Sequence, residues 1–342
     1  MTSEVQALQA GLDALLPRLL PQAQRCSGLQ RLSAGATLQT WSFDAVGESD
    51  GPFSHPLILR RSPGGLRGNE SLSLPLEAEL VRTLAGSGVP VPDVLHTLQP
   101  GDGGGDGLGD GFIMTRIPGE TIARKILRDA AYATARGVLV RQLGMAAGAL
   151  HNRPLAGLPD LPVRSTAATL AALQRRCQAL PQPDAVFEFA LRWLQRHQPA
   201  EPAMLCLVHG DFRLGNVIVG PEGLRAVLDW EIAHLGDPAE DLAWVCLPPW
   251  RFGQITQPVA GLGQRSALFS AWQAATGEPV DAERVRWWQA AGSLRWGLGC
   301  AGMRDWFESG RDPTVERAMI ARRVSENQID LLRLLDSEDA CA

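Results

Sequence analysis

Apolar and polar positions along the chain follow two periods. Over residues 29–47, LQRLSAGATLQTWSFDAVG, they alternate with a period of two, which predicts a hairpin of two strands with its turn near Gly35. HPLILRRSPGG gives a third short strand that stops at Pro63 and two glycines. In SLPLEAELVRTLAGSGVPVP the spacing becomes helical: Glu77, Leu80, Val81 and Leu84 recur at helical intervals, and Gly86 and Gly88 end the element. VPDVLHTLQ and GFIMTRI predict two more strands, joined by PGDGGGDGLGDG. The order is strand, strand, strand, helix, strand, strand. Ahead of it, MTSEVQALQAGLDALLPRLL reads as an amphipathic helix.

After Pro118-Gly119 the pattern changes. From Thr121 to about Gln198 the chain is rich in Ala, Leu and Arg, with LVRQLGMAAGALHN the clearest helix. A strand-rich patch at 204–229 interrupts this run, and helical spacing then resumes to the end. Eight of the ten tryptophans follow residue 229. The compositional shift predicts two lobes, residues 1–115 and 121–342, joined by a connecting segment at 116–120. In the glycine-rich loop at 101–111, Asp102, Asp106 and Asp110 stand four apart. A calcium loop needs acidic residues at alternate positions, and a β-roll needs tandem copies. A flexible hairpin loop is what remains.

Composition narrows the function classes. The chain has 342 residues, 45% hydrophobic and 20% charged, which is enough for a substantial core. Its net charge of −5 argues against a nucleic-acid partner, which would select a basic face. The N-terminal helix carries Glu4 and Asp13 and lacks the basic start and continuous apolar run of a secretory signal; no apolar run is long enough to span a bilayer. Neither nucleic acid nor membrane is expected as a partner. Six cysteines are scattered without the paired spacing of a zinc site or a disulfide framework, which points to a reducing, cytoplasmic setting.

The chemistry concentrates in MLCLVHGDFRLGNVIVGPEGLRAVLDWEIAHLGDPAEDLAW. Leu205–Val208 is a short apolar strand that delivers Asp211 at its end. Residues 217–219 and 224–228 flank Gly220-Pro221-Glu222-Gly223, a strong turn signal, and are expected to pair. Pairing Val219 with Leu224 puts Asn216 opposite Val227 and leaves Asn216 and Asp229 on neighbouring strands. Two carboxylates and a carboxamide are thereby expected at one end of a hairpin. Such turns also attract Asp and Asn as plain caps, but the joint spacing favours chemistry. Hard cations such as Mg²⁺ want this kind of incomplete oxygen ligand set, to be finished by phosphates and water. Asn216 and Asp229 suit metal holding, and Asp211 suits receiving a proton from a hydroxyl that attacks phosphorus.

These residues carry a resemblance. HGDFRLGN is similar to the catalytic loop of the aminoglycoside phosphotransferase family, with Gly210 where protein kinases usually carry Arg, and VLDWEIAHLGDPAEDLAW is similar to its metal-binding segment. The likeness is specific from Leu205 to Trp244, looser over 29–155 and weak afterwards. It implies an α+β, two-lobed, protein-kinase-like fold: a small antiparallel sheet with one helix in a nucleotide-binding N-lobe, a hinge at 116–120, and a larger, mainly helical C-lobe holding the acceptor. It implies Asp211 as catalytic base, Asn216 and Asp229 as Mg²⁺ ligands, and ATP as phosphoryl donor. His209 is expected to brace the loop, and Asp237 and Asp241 to hold the segment after Asp229.

The same resemblance assigns the N-terminal half. LSAGATLQT stands where a phosphate-covering loop belongs, with Ser33, Gly35 and Thr37 presenting backbone N–H groups. It has one glycine where such loops usually have three, so an ordinary turn reads equally well. Arg60 ends PLILR in the slot where most kinases have Lys; its guanidinium is expected to clamp phosphates and to pair with Glu77, in preference to Glu79. Met114, Arg116 and Ile117 would line the adenine-binding hinge.

The resemblance implies that the acceptor is a small molecule bearing a hydroxyl. A polycationic aminoglycoside would want a carboxylate-lined site, whereas residues 244–307 hold seven tryptophans with several arginines among them, which suits an apolar or anionic acceptor. The LRR-P-G strand, GVPVP and LDWEIAHLGDPAEDLAW resemble kinase domains associated with acyl-CoA dehydrogenases, which implies phosphorylation of a hydroxyacyl group as its CoA thioester. Competing readings are an aminoglycoside or other small-alcohol kinase, a non-catalytic nucleotide-binding pseudokinase, and a metal-dependent hydrolase built on His209, Asp211 and Asp229.

Overall fold

The computed structural model describes residues 3–32, 38–48, 51–62, 71–104 and 107–336. The chain divides into two compact units. The first comprises Met1–Gly119, Gly157–Pro159 and Arg225–Ile232, and the second Glu120–Ala156, Asp160–Leu224 and Ala233–Ala342.

In the first unit, helix α1 (Ser3–Leu19) precedes strands β1 (Arg25–Arg31), β2 (Gln39–Gly47) and β3 (Phe53–Ser62), helix α2 (Leu74–Leu84), and strands β4 (Val94–Thr97) and β5 (Asp110–Thr115). The strands form one sheet in the order β1-β2-β3-β5-β4, with every neighbouring pair antiparallel. Strand alternation sends Trp41, Phe43, Ala45, Leu57, Leu59 and Ile113 to one face, where Leu8, Leu12, Leu15 and Leu16 of α1 cover them. Phe112 packs instead with Leu74 and Ala78 of α2. Two helices therefore flank the sheet, where the resemblance implied one. Ser73 caps α2, its Oγ accepting from Leu76 N at 3.3 Å.

Strand β1 begins four residues before the expected hairpin. Gly28 has φ +65° and sits where the register shifts between Ser27 and Gln30, so the strand passes through it as a bulge. The expected turn at Gly35 lies outside the described residues. The glycine-rich connection from β4 to β5 is anchored by Asp102, whose carboxylate pairs with His96 Nε2 at 2.6 Å and accepts from Gln99 N at 2.8 Å.

The second unit contains helices α3 (Ala123–Arg128), α4 (Ala133–His151), α5 (Thr166–Gln178) and α6 (Ala185–Arg196). Strands β6 (Cys206–Val208), β7 (Val217–Gly220), β8 (Gly223–Val227, which runs on into the first unit) and β9 (His234–Gly236) follow. Helices α7 (Ala239–Trp244), α8 (Arg265–Thr276), α9 (Ala282–Glu308), α10 (Val315–Ala321) and α11 (Val324–Asp336) complete it. β6 pairs antiparallel with β9, and β7 with β8 make a two-stranded ribbon. The glycines of LVRQLGMAAGALHN have a steric reason: a Cβ on Gly144 would stand 2.5 Å from the Leu268 carbonyl oxygen, and one on Gly148 2.5 Å from Ala275 Cβ. Only a helix without side chains there can lie this close to α8. Among the described residues, no helix is long and apolar enough to cross a membrane.

Candidate active site

In the second unit, β6 leads into His209-Gly210-Asp211. Gly210 has φ +80°, a left-handed conformation that favours glycine, which gives a physical reason for Gly in place of the Arg of protein kinases. The loop is held from beneath by Asp241, whose carboxylate accepts from His209 N at 2.8 Å and Gly210 N at 2.9 Å. His151 Nε2 approaches the same carboxylate at 3.1 Å, and Trp272 donates its indole N–H to His151 Nδ1 at 2.9 Å. Because Nδ1 accepts, the His151 proton resides on Nε2 and points at Asp241. Burial works to raise the Asp241 carboxyl, but the His151 contact and the His209 N–H outweigh it and hold the group below the usual carboxylate value. Asp241 thus braces the segment before Asp211, not the one after Asp229. Asp237 turns elsewhere, accepting from Arg284 Nε at 2.6 Å and Ala239 N at 3.0 Å. His209 is fully buried, and its Nδ1 accepts from Asp211 N at 3.2 Å, which matches the bracing role expected of it.

The Asp211 carboxylate meets donors from three side chains. Trp244 Nε1 reaches Oδ1 at 2.6 Å, Arg213 Nε reaches Oδ1 at 3.0 Å and Oδ2 at 3.1 Å, and Asn216 Nδ2 reaches Oδ2 at 2.6 Å. A 3₁₀ turn at Leu214–Asn216 folds the amide back, so that Nδ2 also donates to the Asp211 carbonyl at 3.0 Å. Arg213 lies 4.7 Å from the Trp250 ring centroid and Arg295 4.0 Å from that of Trp244. Arg295 also donates to Gly210 O at 2.7 Å and to Glu240 at 3.1 Å, tying α9 to the loop. The sequence reading gives Arg213 no role, and counts Trp244 only among the tryptophans that suit an apolar or anionic acceptor. An Arg two residues from an acid reads as a surface charge, and Trp244 is 33 residues away.

The first unit carries a second charged group. Arg60, near the end of β3, places NH2 2.6 Å from Asp229 Oδ1 and 3.5 Å from Glu231, with Nε 3.3 Å from Glu77 Oε1. Burial opposes the Arg60 charge, but Glu77, Asp229 and Glu231 outweigh it and push the guanidinium further towards its charged form. Asp229 has φ +67°, unusual for a residue with a Cβ, and backbone strain of this kind gathers at functional positions. Met114 lies in β5, paired on both sides with Ile58 and Val94. Arg116 gives its N–H to Pro56 O at 3.0 Å and its guanidinium to Asp44 at 2.6 Å. Ser33, Gly35 and Thr37 lie outside the described residues. The structure thus joins Asp211 with Asn216 in the second unit, and Arg60, Glu77 and Asp229 in the first.

Residues 28–287 match the phosphotransferase enzyme family, APH. The chain belongs to that family. A mouse protein, acyl-CoA dehydrogenase family member 10, is 31% identical over 202 residues, covering 56% of this chain and 18% of its own length. The chain thus matches under a fifth of that relative. A crystal structure from Ralstonia eutropha assigned as an aminoglycoside phosphotransferase superposes with a TM-score of 0.72 at 17% identity, over 94% of this chain and 97% of that one. A thermostable variant of aminoglycoside phosphotransferase APH(4)-Ia, in a ternary complex with AMP-PNP and hygromycin B, gives 0.63 at 15% identity, over 96% and 99%. The fold is kinase-like, α+β. Family membership supports a small-molecule phosphotransferase.

Proposed function

We propose that the protein transfers the γ-phosphoryl group of ATP to the hydroxyl of a small molecule, a hydroxyacyl group carried as its CoA thioester. The observation that carries this reading is the Asp211 carboxylate, held by Trp244, Arg213 and Asn216 in a chain of the APH family. A carboxylate fixed by three donors has one orientation to offer a hydroxyl, and phosphoryl transfer gains chiefly from positioning. Asp211 receives the hydroxyl proton as the oxygen attacks the γ-phosphorus. The bond from that phosphorus to the bridging oxygen breaks, and ADP leaves with the electron pair.

The residues assigned to Mg²⁺ by the motif fit it chemically. Asn216 spends its Nδ2 on Asp211, which leaves the carbonyl oxygen as its ligand atom, and Asp229 keeps Oδ2 beyond the Arg60 contact. Both are hard oxygen donors of the kind this cation takes. When bound, Mg²⁺ neutralises phosphate charge. Arg60, held by Glu77, is assigned to the phosphates. Among the described residues the Ile117 N–H has no hydrogen-bond partner, which supports a hinge role in receiving adenine.

The choice of a hydroxyacyl thioester is supported by the likeness to acyl-CoA dehydrogenase family member 10 and by the Trp- and Arg-rich surroundings of Asp211. It is tested by coupled ADP release with Mg-ATP and panels of hydroxyacyl-CoAs and aminoglycosides. Hydroxyacyl-CoA is expected to accelerate release, and Asp211→Asn to abolish the acceleration. Equal release with and without hydroxyacyl-CoA overturns this acceptor, and acceleration by an aminoglycoside alone replaces it.

A further inference from the structure

The second unit holds a cavity of about 1220 Å³, walled by the segment after α7 and by α10 and α11. This is larger than the roughly 300–1,000 Å³ of most small-molecule sites. None of the residues assigned above to the transfer chemistry lines it.

Its walls have two characters. Leu247, Phe252 and Ile320 supply apolar surface, and three large apolar side chains at the cavity stand in solvent: Ile255 (73% exposed), Met319 (57%) and Ile329 (49%). Scattered exposed apolar residues are ordinary, but three around one opening mark a surface that something apolar covers.

The second character is charge. Six arginines line the cavity: Arg124, Arg251, Arg265, Arg322, Arg323 and Arg333. Only three carboxylates face them, in a chain whose 37 acidic residues outnumber its 32 basic ones. The sign of the protein is inverted here. Of the carboxylates, Glu326 is paired with Arg323 at 3.0 Å. Burial raises the Asp330 carboxyl above its usual range despite Arg251 and Arg333. Arg251 is fixed by neutral acceptors, the carbonyls of Cys246 (2.8 and 3.2 Å) and Ile255 (3.4 Å). Among the described residues Arg124 and Arg322 have no ion-pair partner.

An excess of guanidinium forks selects oxyanions that accept two hydrogen bonds at once, and an excess of three cations selects a head with more than one negative charge. Phosphate meets that condition better than a carboxylate. We propose that this cavity binds an amphipathic anion, a phosphate-bearing head joined to an apolar chain, with the arginines on the head and Ile255, Met319 and Ile329 on the chain. A polycation such as an aminoglycoside is repelled. Leu247 belongs both to this wall and to the cluster of Trp244, Trp250 and Trp296, and Trp244 holds Asp211. That the bound molecule is also the phosphoryl acceptor rests on the function proposed above.

The test is calorimetric titration of the full chain, without nucleotide, by monomeric octyl phosphate, octanol, inorganic phosphate and kanamycin. Octyl phosphate is expected to bind at least tenfold more tightly than octanol or inorganic phosphate, and kanamycin not at all. Arg322→Glu with Arg333→Glu is expected to weaken octyl phosphate at least tenfold, and Ile329→Asp likewise, both with wild-type circular dichroism. Should the double variant melt early, Arg124→Glu in α3 carries the same expectation. Octyl phosphate binding no tighter than inorganic phosphate, or less than a tenfold loss in the folded variants, overturns the site. No nucleotide is present, so a chain that binds octyl phosphate but releases no ADP refutes the kinase reading alone.

Discussion

Trp244 and Asp211 are joined by an indole N–H donated to carboxylate Oδ1 at 2.6 Å, across 33 residues of sequence. The bond links α7 to the end of β6 and sets the direction of the carboxylate. A hydrogen bond to a charged group contributes about 1.5–3 kcal/mol. A carboxylate displaced by an ångström can lose on the order of a hundredfold in rate.

Trp244→Phe is therefore expected to keep the fold and lower kcat by about 10- to 100-fold, with KM for ATP little changed. The check is steady-state kinetics beside a melting curve. A variant that keeps wild-type kcat shows that the indole only fills space.

Arg60 faces three carboxylates, and the Glu77 side chain is only 2% exposed. Removing the cation strands a buried charge, which typically costs about 3–5 kcal/mol. Arg60→Met is expected to lose stability on that scale in urea unfolding. Adding Glu77→Leu is expected to recover most of it, because the stranded charge is then gone. Arg60→Lys restores the charge but not the fork, so ATP KM is expected to rise while stability stays close to wild type. Loss in Arg60→Met that Glu77→Leu does not recover contradicts this account.

The order of strands and helices in the first unit is legible because period-two alternation and helical spacing act over short stretches, as in WSFDAV and LEAELV. The start of β1 ahead of residue 29 is missed because the register shifts at Gly28, which interrupts the alternation. Asp211 and Asn216 share one turn, so their contact follows from local spacing. Trp244 on Asp211 and Arg60 on Asp229 depend on pairings 33 and 169 residues apart, which no periodicity encodes. The Trp272–His151–Asp241 chain is hidden for the same reason: its members lie on α8, α4 and α7. The cavity beside α10 and α11 has no motif, since its character is a sum of charges from separate helices.

Asp241 ties loop stability to pH. Its folded-state pKa lies below the ordinary 3.8, so its contribution is fully present above that value and is lost as pH falls through the depressed one. Asp241→Asn is expected to cost about 1.5–3 kcal/mol at pH 7 by weakening hydrogen bonds made to a buried carboxylate. It is also expected to flatten the fall in stability below the ordinary value of 3.8, where the wild-type carboxylate takes up its proton as pH falls through the depressed value. Urea midpoints from pH 7 to 3 read both effects. A variant that loses stability in parallel with wild type over the acid range shows that Asp241 is not a proton-linked group.

The buried cysteines test packing without reference to catalysis. Burial pushes Cys26 up to about 12 and Cys177, Cys246 and Cys300 up to about 11, and raises Cys206 as well. The thiolate is the nucleophile, so at pH 8 each of these groups presents little reactive form and no route for reagent. Iodoacetamide under native conditions is expected to label the five peptides slowly, at a rate set by opening of the fold, and in urea to label all of them quickly. The sensitive position is Cys300, fully buried on α9, the helix that also carries Arg295, which donates to Gly210 O in the Asp211 loop. Fast native labelling of Cys300 alone would mean that α9 opens locally, and Arg295 would then not hold Gly210 as described.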